Sequence, residues 1–190
     1  MQTREGLTFY KLWRFISLPF FPSKVQTWFA VNRFEDIPPV HLVNAGIQGI
    51  LLDADGVLGS NGTQSFSEPI KHHVQSFLNH GIKVAIYTNA REDRFDQFKN
   101  VKIVTNVQAK PNPQGFKKAI SVFLELEDYK KVCMVGDNFI TDGGAIELGI
   151  PFIYVTPLKG NEKFYHRATR FYGYFWARLY SRKIFRVLKK

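Results

Sequence analysis

The 190-residue chain has a single cysteine, Cys133, so no internal disulfide framework and no cysteine-paired zinc site can form. Its five histidines (His41, His72, His73, His80 and His166) lack metal-ligand spacing and read as surface or packing residues. Long apolar runs are also missing. The most apolar N-terminal stretch, residues 9–31, is broken by Lys11, Arg14, Pro19, Pro22 and Lys24, whereas a spanning helix needs about 20 mostly apolar residues. The same breaks, with no small-residue cleavage site after them, argue against a secretory signal. A mitochondrial targeting peptide stays open, because the first 24 residues are basic and hold one acid, Glu5. Neither internal repeats nor low-complexity segments occur. A reducing compartment fits the lone thiol. The expected location is cytoplasmic, with the inner membrane surface as a peripheral site.

Acids are scarce too: 16 Asp and Glu face 26 Lys and Arg, a net charge of +10. The excess is local. Residues 159–190 hold ten Lys or Arg and one Glu, and the remaining chain is nearly neutral. What is plentiful is aromatic, with 18 Phe, 8 Tyr and 3 Trp. The chain divides into a basic aromatic arm (1–36), a core (37–158) and a basic C-terminal segment (159–190). Its length suits one domain with a sizeable hydrophobic core.

The core carries the chemistry. Gly49-Ile50-Leu51-Leu52 runs without alternation into Asp53-Ala54-Asp55-Gly56, reading as a strand buried on both faces that ends in two carboxylates. In a strand, a spacing of two puts both acids on one face. The carboxyl ends of strands are where open α/β sheets bind ligands. Paired acids there can hold Mg²⁺, attack a phosphorus centre or move a proton. Three more apolar runs end in polar signatures: Thr88-Asn89, Lys110-Pro111, and Gly136-Asp137-Asn138 followed by Thr141-Asp142. Taken singly, these are an N-cap, a surface lysine and a turn. In this order, along one edge of one sheet, they form a constellation.

The periodicity predicts strands at 48–53, 83–88, 102–105, 131–135 and 152–155, and helices at 67–80, 92–98, 113–126 and 140–148. Alternating strand and helix implies an α/β fold, a parallel five-stranded Rossmann-like sheet with helices on both faces. The gaps from Asp55 to Thr88 (33 residues) and from Thr88 to Lys110 (22 residues) leave no room for an inserted cap domain.

The motif order resembles the haloacid-dehalogenase (HAD) superfamily of phosphatases over roughly residues 37–159. Asp53-Ala54-Asp55-Gly56-Val57-Leu58 matches the first motif, Thr88 the second, Lys110 the third, and Asp137 with Asp142 the fourth. Ala45-Gly46-Ile47-Gln48-Gly49-Ile50, Lys110-Pro111 and Gly136-Asp137-Asn138-Phe139-Ile140-Thr141-Asp142 are similar to subfamily IIIA, the YqeG-like and phosphatidylglycerophosphatase-like branch. One position departs: that branch usually has Asn-Thr after the second Asp, where this chain has Gly56-Val57. The resemblance implies a Mg²⁺-dependent phosphomonoesterase working through an aspartyl-phosphate. Asp53 is then the nucleophile, and Asp55 the acid and later the base. Thr88 and Lys110 bind the phosphoryl group. Asp53, the Asp55 carbonyl and Asp137 would hold Mg²⁺, with Asn89, Asn138 and Asp142 supporting them. Absence of a cap implies a bulky or membrane-surface substrate, such as a phosphatidylglycerophosphate-like lipid. Soluble phosphate esters or nucleotides, polynucleotide ends, and a non-enzymatic binding module are the alternatives.

In the tail, Phe164, Ala168, Phe171, Tyr172, Phe175, Trp176, Leu179, Val187 and Leu188 recur at helical spacing beside a basic stripe of Lys163, Arg167, Arg170, Arg178, Arg182, Arg186 and Lys189. A basic amphipathic helix rich in aromatics suits an anionic membrane surface. Packing of the apolar stripe on the core competes with that reading, and nucleic acid ranks third. The acid set lies wholly before residue 143, so the tail is expected to be separable from the chemistry. Specificity is expected in the loops Gly59–Ser67 and Asn89–Phe98.

Overall fold

A computed structural model describes residues 8–89, 94–160, 162 and 164–188. Six parallel strands form one sheet: β1 (Phe29–Val31), β2 (Gly49–Leu52), β3 (Lys83–Ile86), β4 (Lys102–Ile103), β5 (Val132–Gly136) and β6 (Phe152–Val155), in the order β1-β6-β5-β2-β3-β4. Strand β2 is central, with Leu52 level with Ile86 of β3 on one side and Val135 of β5 on the other. The chain leaves β2 toward β3 and returns across the sheet to β5. Reversal of strand order beside β2 opens a crevice at the carboxyl ends, the usual ligand position in such sheets.

Alternate residues of the strands enter opposite cores. Ile50, Leu52, Val84, Ile86, Cys133 and Val135 pack against α3 (Glu68–Asn79) through Ile70, Val74 and Phe77. Leu51, Ala85, Met134 and Phe152 pack with Phe116, Ile120 and Leu124 on the other face. Both faces are covered, which is why these strands lack polar alternation. Burial in that first core pushes the Cys133 thiol up, leaving it a packing residue.

The sixth strand departs from the expected five. Residues 29–31 of the N-terminal arm pair with β6 at the sheet edge. Three residues are too few to display a period. Other elements are shorter or tighter than the pattern predicts. The helix expected at 113–126 is α4 (Pro113–Lys118) followed by a wide π turn over Ala119–Leu124. That at 140–148 is a 3₁₀ helix, Asp142–Leu148. The Asp142 side chain there bonds back to the preceding backbone, an alternative to a regular helical start. Of the helix expected at 92–98, residues 92–93 lie outside the described part. Residues 94–98 form turns that bury Phe95 and Phe98 against Phe66.

The termini flank the crevice. Helix α1 (Phe9–Ser17) is capped by Thr8, and α2 (Pro39–Asn44) lies further along the arm. The tail forms α5 (Phe164–Tyr180), then a break at Ser181, then α6 (Arg182–Phe185), where a single helix was expected. Phe185 folds back onto Tyr154, which explains the break. Helix α5 packs through Gly173 and Ala177. A Cβ on Gly173 would lie 2.8 Å from the Phe139 Cβ, so only glycine lets the helix approach the segment after β5 this closely. Phe164, Phe171, Phe175 and Leu179 of the predicted apolar stripe face outward, with Phe164 84% and Phe171 71% exposed. Among the described residues no helix is long and apolar enough to cross a membrane.

Candidate active site

Asp53 follows β2 directly, and its N–H donates to the Val135 carbonyl at 2.9 Å, extending the ladder by one residue. The strand itself ends at Leu52, so Asp53 and Asp55 do not share a strand face as the i, i+2 spacing suggested. Their separation comes from the turn at Gly56. Its φ is +90°, and a Cβ there would lie 1.8 Å from Asp137 Oδ2, so the turn requires glycine twice over. Thr88 and Asp137 emerge after β3 and β5 on either side, and all four residues line one cavity of about 760 Å³ with Lys110, Asn89 and Asn138.

Lys110 is the hub. Its ammonium is 1% exposed, 2.8 Å from Asp53 Oδ1 and 2.5 Å from Asp142 Oδ1. Burial alone would lower this lysine. The charges of Asp142 and Asp53 together outweigh burial and hold it above its usual range, so it is a fixed cation. Asn89 fixes its backbone from both sides, accepting from Lys110 N at 2.9 Å and donating to Lys110 O at 3.2 Å. Asp142 is committed elsewhere as well. Its Oδ2 accepts from the N–H groups of Asp137 (3.2 Å) and Asn138 (3.1 Å). Burial and the Asp53 charge push Asp142 up to about 6, against the opposing pull of Lys110. Asn138 braces the same turn by accepting from Ile140 N at 2.9 Å.

Carboxylate oxygens of Asp53, Asp137 and Asp142 lie within 4.8 Å of one another, all buried, and could hold a metal ion. The donors differ in readiness. Those of Asp142 are spoken for, whereas both Asp137 oxygens are buried and receive no hydrogen bond among the described residues. Burial drives the Asp137 carboxyl well above the usual carboxylate range, with the charges of Asp142 and Asp53 pushing the same way and Arg170 opposing. A desolvated carboxylate that accepts no hydrogen bond and has an ion pair on one oxygen, beside two other acids, suits a hard divalent cation, which would supply further positive charge. The Asp55 carboxylate stands outside this cluster. Its Oδ1 accepts from Gly62 N at 3.0 Å, and its Oδ2 meets Arg94 Nη2 at 2.8 Å.

Three arginines here went unread in the sequence. Arg94 neutralises Asp55. Arg170, placed by the sequence in the basic stripe of the tail, turns inward, with Nη2 donating to the Asp55 carbonyl at 3.0 Å and standing 2.9 Å from Asp137 Oδ2. The tail therefore reaches the acid set. The signal available was Glu162, the lone acid of the basic tail, which pairs with Arg170. Arg14 of α1 is buried; its Nε and Nη2 donate to the Phe139 carbonyl at 3.0 and 2.8 Å, and its Nη1 to Glu147 at 2.6 Å. It ties α1 to the segment carrying Asp137 and Asp142. The Arg14→Ala variant is expected to lose about 3 kcal/mol of unfolding free energy, since a buried acceptor and a partly buried acid lose their partner. Urea denaturation followed by circular dichroism checks this, and an unchanged midpoint would contradict it. His166, read as surface or packing, lines the cavity with Tyr165 and Thr169 of α5 and Lys11, Leu12 and Phe15 of α1. Among the described residues no inserted cap lies between Asp55 and Lys110, and residues of α1 and α5 line the cavity instead.

The chain is 28% identical over 146 residues to a protein of Bacillus subtilis (strain 168) described as "Probable phosphatase YqeG", an alignment covering 75% of this chain and 83% of that one. No protein-family model matches the chain. No solved structure matches it either.

Proposed function

We propose that the protein is a HAD-type, Mg²⁺-dependent phosphomonoester hydrolase that turns over through an aspartyl-phosphate on Asp53. The observation that carries this reading is the convergence of Asp53, Asp137, Asp142 and Lys110 at the carboxyl ends of β2 and β5, with Asp137 Oδ1 buried and without a hydrogen bond among the described residues. Similarity to a protein described as a phosphatase supports it from an independent direction. Asp53 attacks phosphorus in line, and Asp55 protonates the leaving alkoxide and then activates water. Thr88 donates to a phosphoryl oxygen, and Lys110 offsets charge on the phosphoryl group. Asp53, the Asp55 carbonyl and Asp137 would hold Mg²⁺, which supplies electrostatic stabilisation of the transferring group.

The substrate in this reading is bulky and lies at a membrane surface, a phospholipid monoester of the phosphatidylglycerophosphate kind. Apolar walls from Leu12, Phe15 and Tyr165 suit an acyl or glyceryl portion. Both terminal helices expose aromatics, and α5 also exposes Arg167 and Arg178, a combination suited to anionic lipid.

The test is phosphate release from lipid, nucleotide, sugar and protein phosphates, with and without anionic vesicles. Mg²⁺ is expected to support turnover. Ca²⁺, which takes more oxygen ligands at longer distances, is expected to compete without supporting it. Lipid phosphates in anionic vesicles are expected to be the preferred substrates. Full activity in excess chelator would contradict the metal requirement, and preference for a soluble ester would contradict the lipid assignment.

A further inference from the structure

We propose that Arg170, delivered by the C-terminal helix, is a positioning residue of the metal site, so that α5 is part of the catalytic unit rather than an appended anchor. The inference rests on the Mg²⁺ reading above. Arg170 reaches two of the groups assigned there to the cation, the Asp55 carbonyl at 3.0 Å and Asp137 at 2.9 Å. It uses one nitrogen, Nη2, for both. Its other arm, Nη1, pairs with Glu162. The planar guanidinium puts the Glu162 pair and the two metal-site contacts on separate nitrogens with fixed directions, whereas an ammonium would have to bring all three partners to one nitrogen. The carbonyl has two lone pairs and the carboxylate two oxygens. Arg170 engages one side of each group and leaves Asp137 Oδ1 buried without a hydrogen bond among the described residues.

Charge bookkeeping agrees. Glu162 offsets Arg170, Arg94 offsets Asp55, and Lys110 offsets one of the three clustered acids. Two negative charges remain, the complement of a divalent cation. Arg170 therefore orients the donors without cancelling the charge that attracts the metal. The helix is held at the required height by the close contact of Gly173 with Phe139, one turn beyond Arg170. Groups that orient metal ligands from behind typically contribute about 10–100-fold to metal affinity.

Calorimetric titration of the 190-residue protein with Mg²⁺ tests this, using wild type, Arg170→Gln and Arg170→Lys. Affinity is expected to fall by about 10–100-fold in Arg170→Gln. The Lys variant keeps the charge but loses the fork, and is expected to stay at least about tenfold weaker than wild type. Equal or tighter binding by both variants would overturn the proposal, because Arg170 would then be a bystander or a competitor of the metal. A second readout needs no variant. Hydrogen exchange across Phe164–Tyr180 in the wild type is expected to stay as slow, or become slower, when Mg²⁺ is added. Faster exchange would mean that the cation expels Arg170 and loosens α5, which also overturns it. Failure of the wild type itself to bind Mg²⁺ sinks the metal reading and this inference with it, whereas wild-type binding with unaffected variants sinks the inference alone.

Discussion

Replacing Asp53 with Asn is expected to abolish phosphate release while leaving the fold intact. The side chains are nearly the same size, so the packing around β2 is undisturbed. Lys110 keeps Asp142 as a buried partner at 2.5 Å. Removing one of three crowded carboxylates relieves repulsion, so unfolding free energy is expected to hold or rise slightly. Chemistry loses on two counts. An amide is a poor nucleophile toward phosphorus, and the cluster forfeits a charged donor. The loss is expected to be at least roughly 10³-fold, about 4 kcal/mol of transition-state stabilisation. Steady-state assay on an aryl phosphate checks it. Retention of more than a few per cent of the wild-type rate by a folded variant would contradict the assigned nucleophile.

Lys110→Met is expected to damage both fold and chemistry. Methionine fills the volume but leaves Asp53 and Asp142 facing one another without the ammonium that now lies within 2.8 Å of each. Breaking a buried ion pair from one side costs about 3–5 kcal/mol, because the surviving charge stays desolvated. The penalty has a pH sign. Asp142, already pushed up to about 6, sits above its unfolded value of about 3.9. Losing the ammonium removes the pull that opposes this rise and pushes Asp142 higher still, so the deficit relative to wild type is expected to grow as pH rises above about 6 and to shrink below it. Loss of the fixed cation should also lower turnover by roughly 10²–10³-fold. Urea melts at several pH values, read beside phosphate release, test both halves. A variant as stable as wild type at neutral pH would mean that Lys110 is not the counter-charge of the cluster.

Much of the fold was legible because β2, β3, β5 and β6 are buried on both faces and carry unbroken apolar runs. β1 and β4 were harder, being edge pieces of three and two residues whose pairing depends on neighbours remote in sequence. Convergence of Asp53, Thr88, Lys110 and Asp137 was readable because each follows a strand, and adjacent parallel strands bring their carboxyl ends together. The role of Asp142 was only half readable: its bonds to Lys110, Asp137 N and Asn138 N exist once the turn after β5 closes. Arg14 and Arg170 were invisible as site residues. Arg170 belongs to the basic stripe of the tail and Arg14 reads as a break in an apolar stretch, and nothing local says that either side chain turns inward. In α5 the inward side is built from Gly173 and Ala177, too small to register as a core stripe, while the large aromatics that do register point away from the core. Helix orientation was decided by close approach and charge, which an apolar period does not encode.

In the proposed mechanism the acid at the end of β2 carries the phosphoryl group during turnover. Rapid acid quench of the enzyme during hydrolysis of a labelled phosphate ester, followed by peptide mapping, tests it most directly. The label is expected on the peptide containing Asp53 in the wild type, in the presence of Mg²⁺, and on no peptide of Asp53→Asn. Phosphate release by the wild type with no labelled peptide at any quench time, or with the label on another residue, would contradict the account.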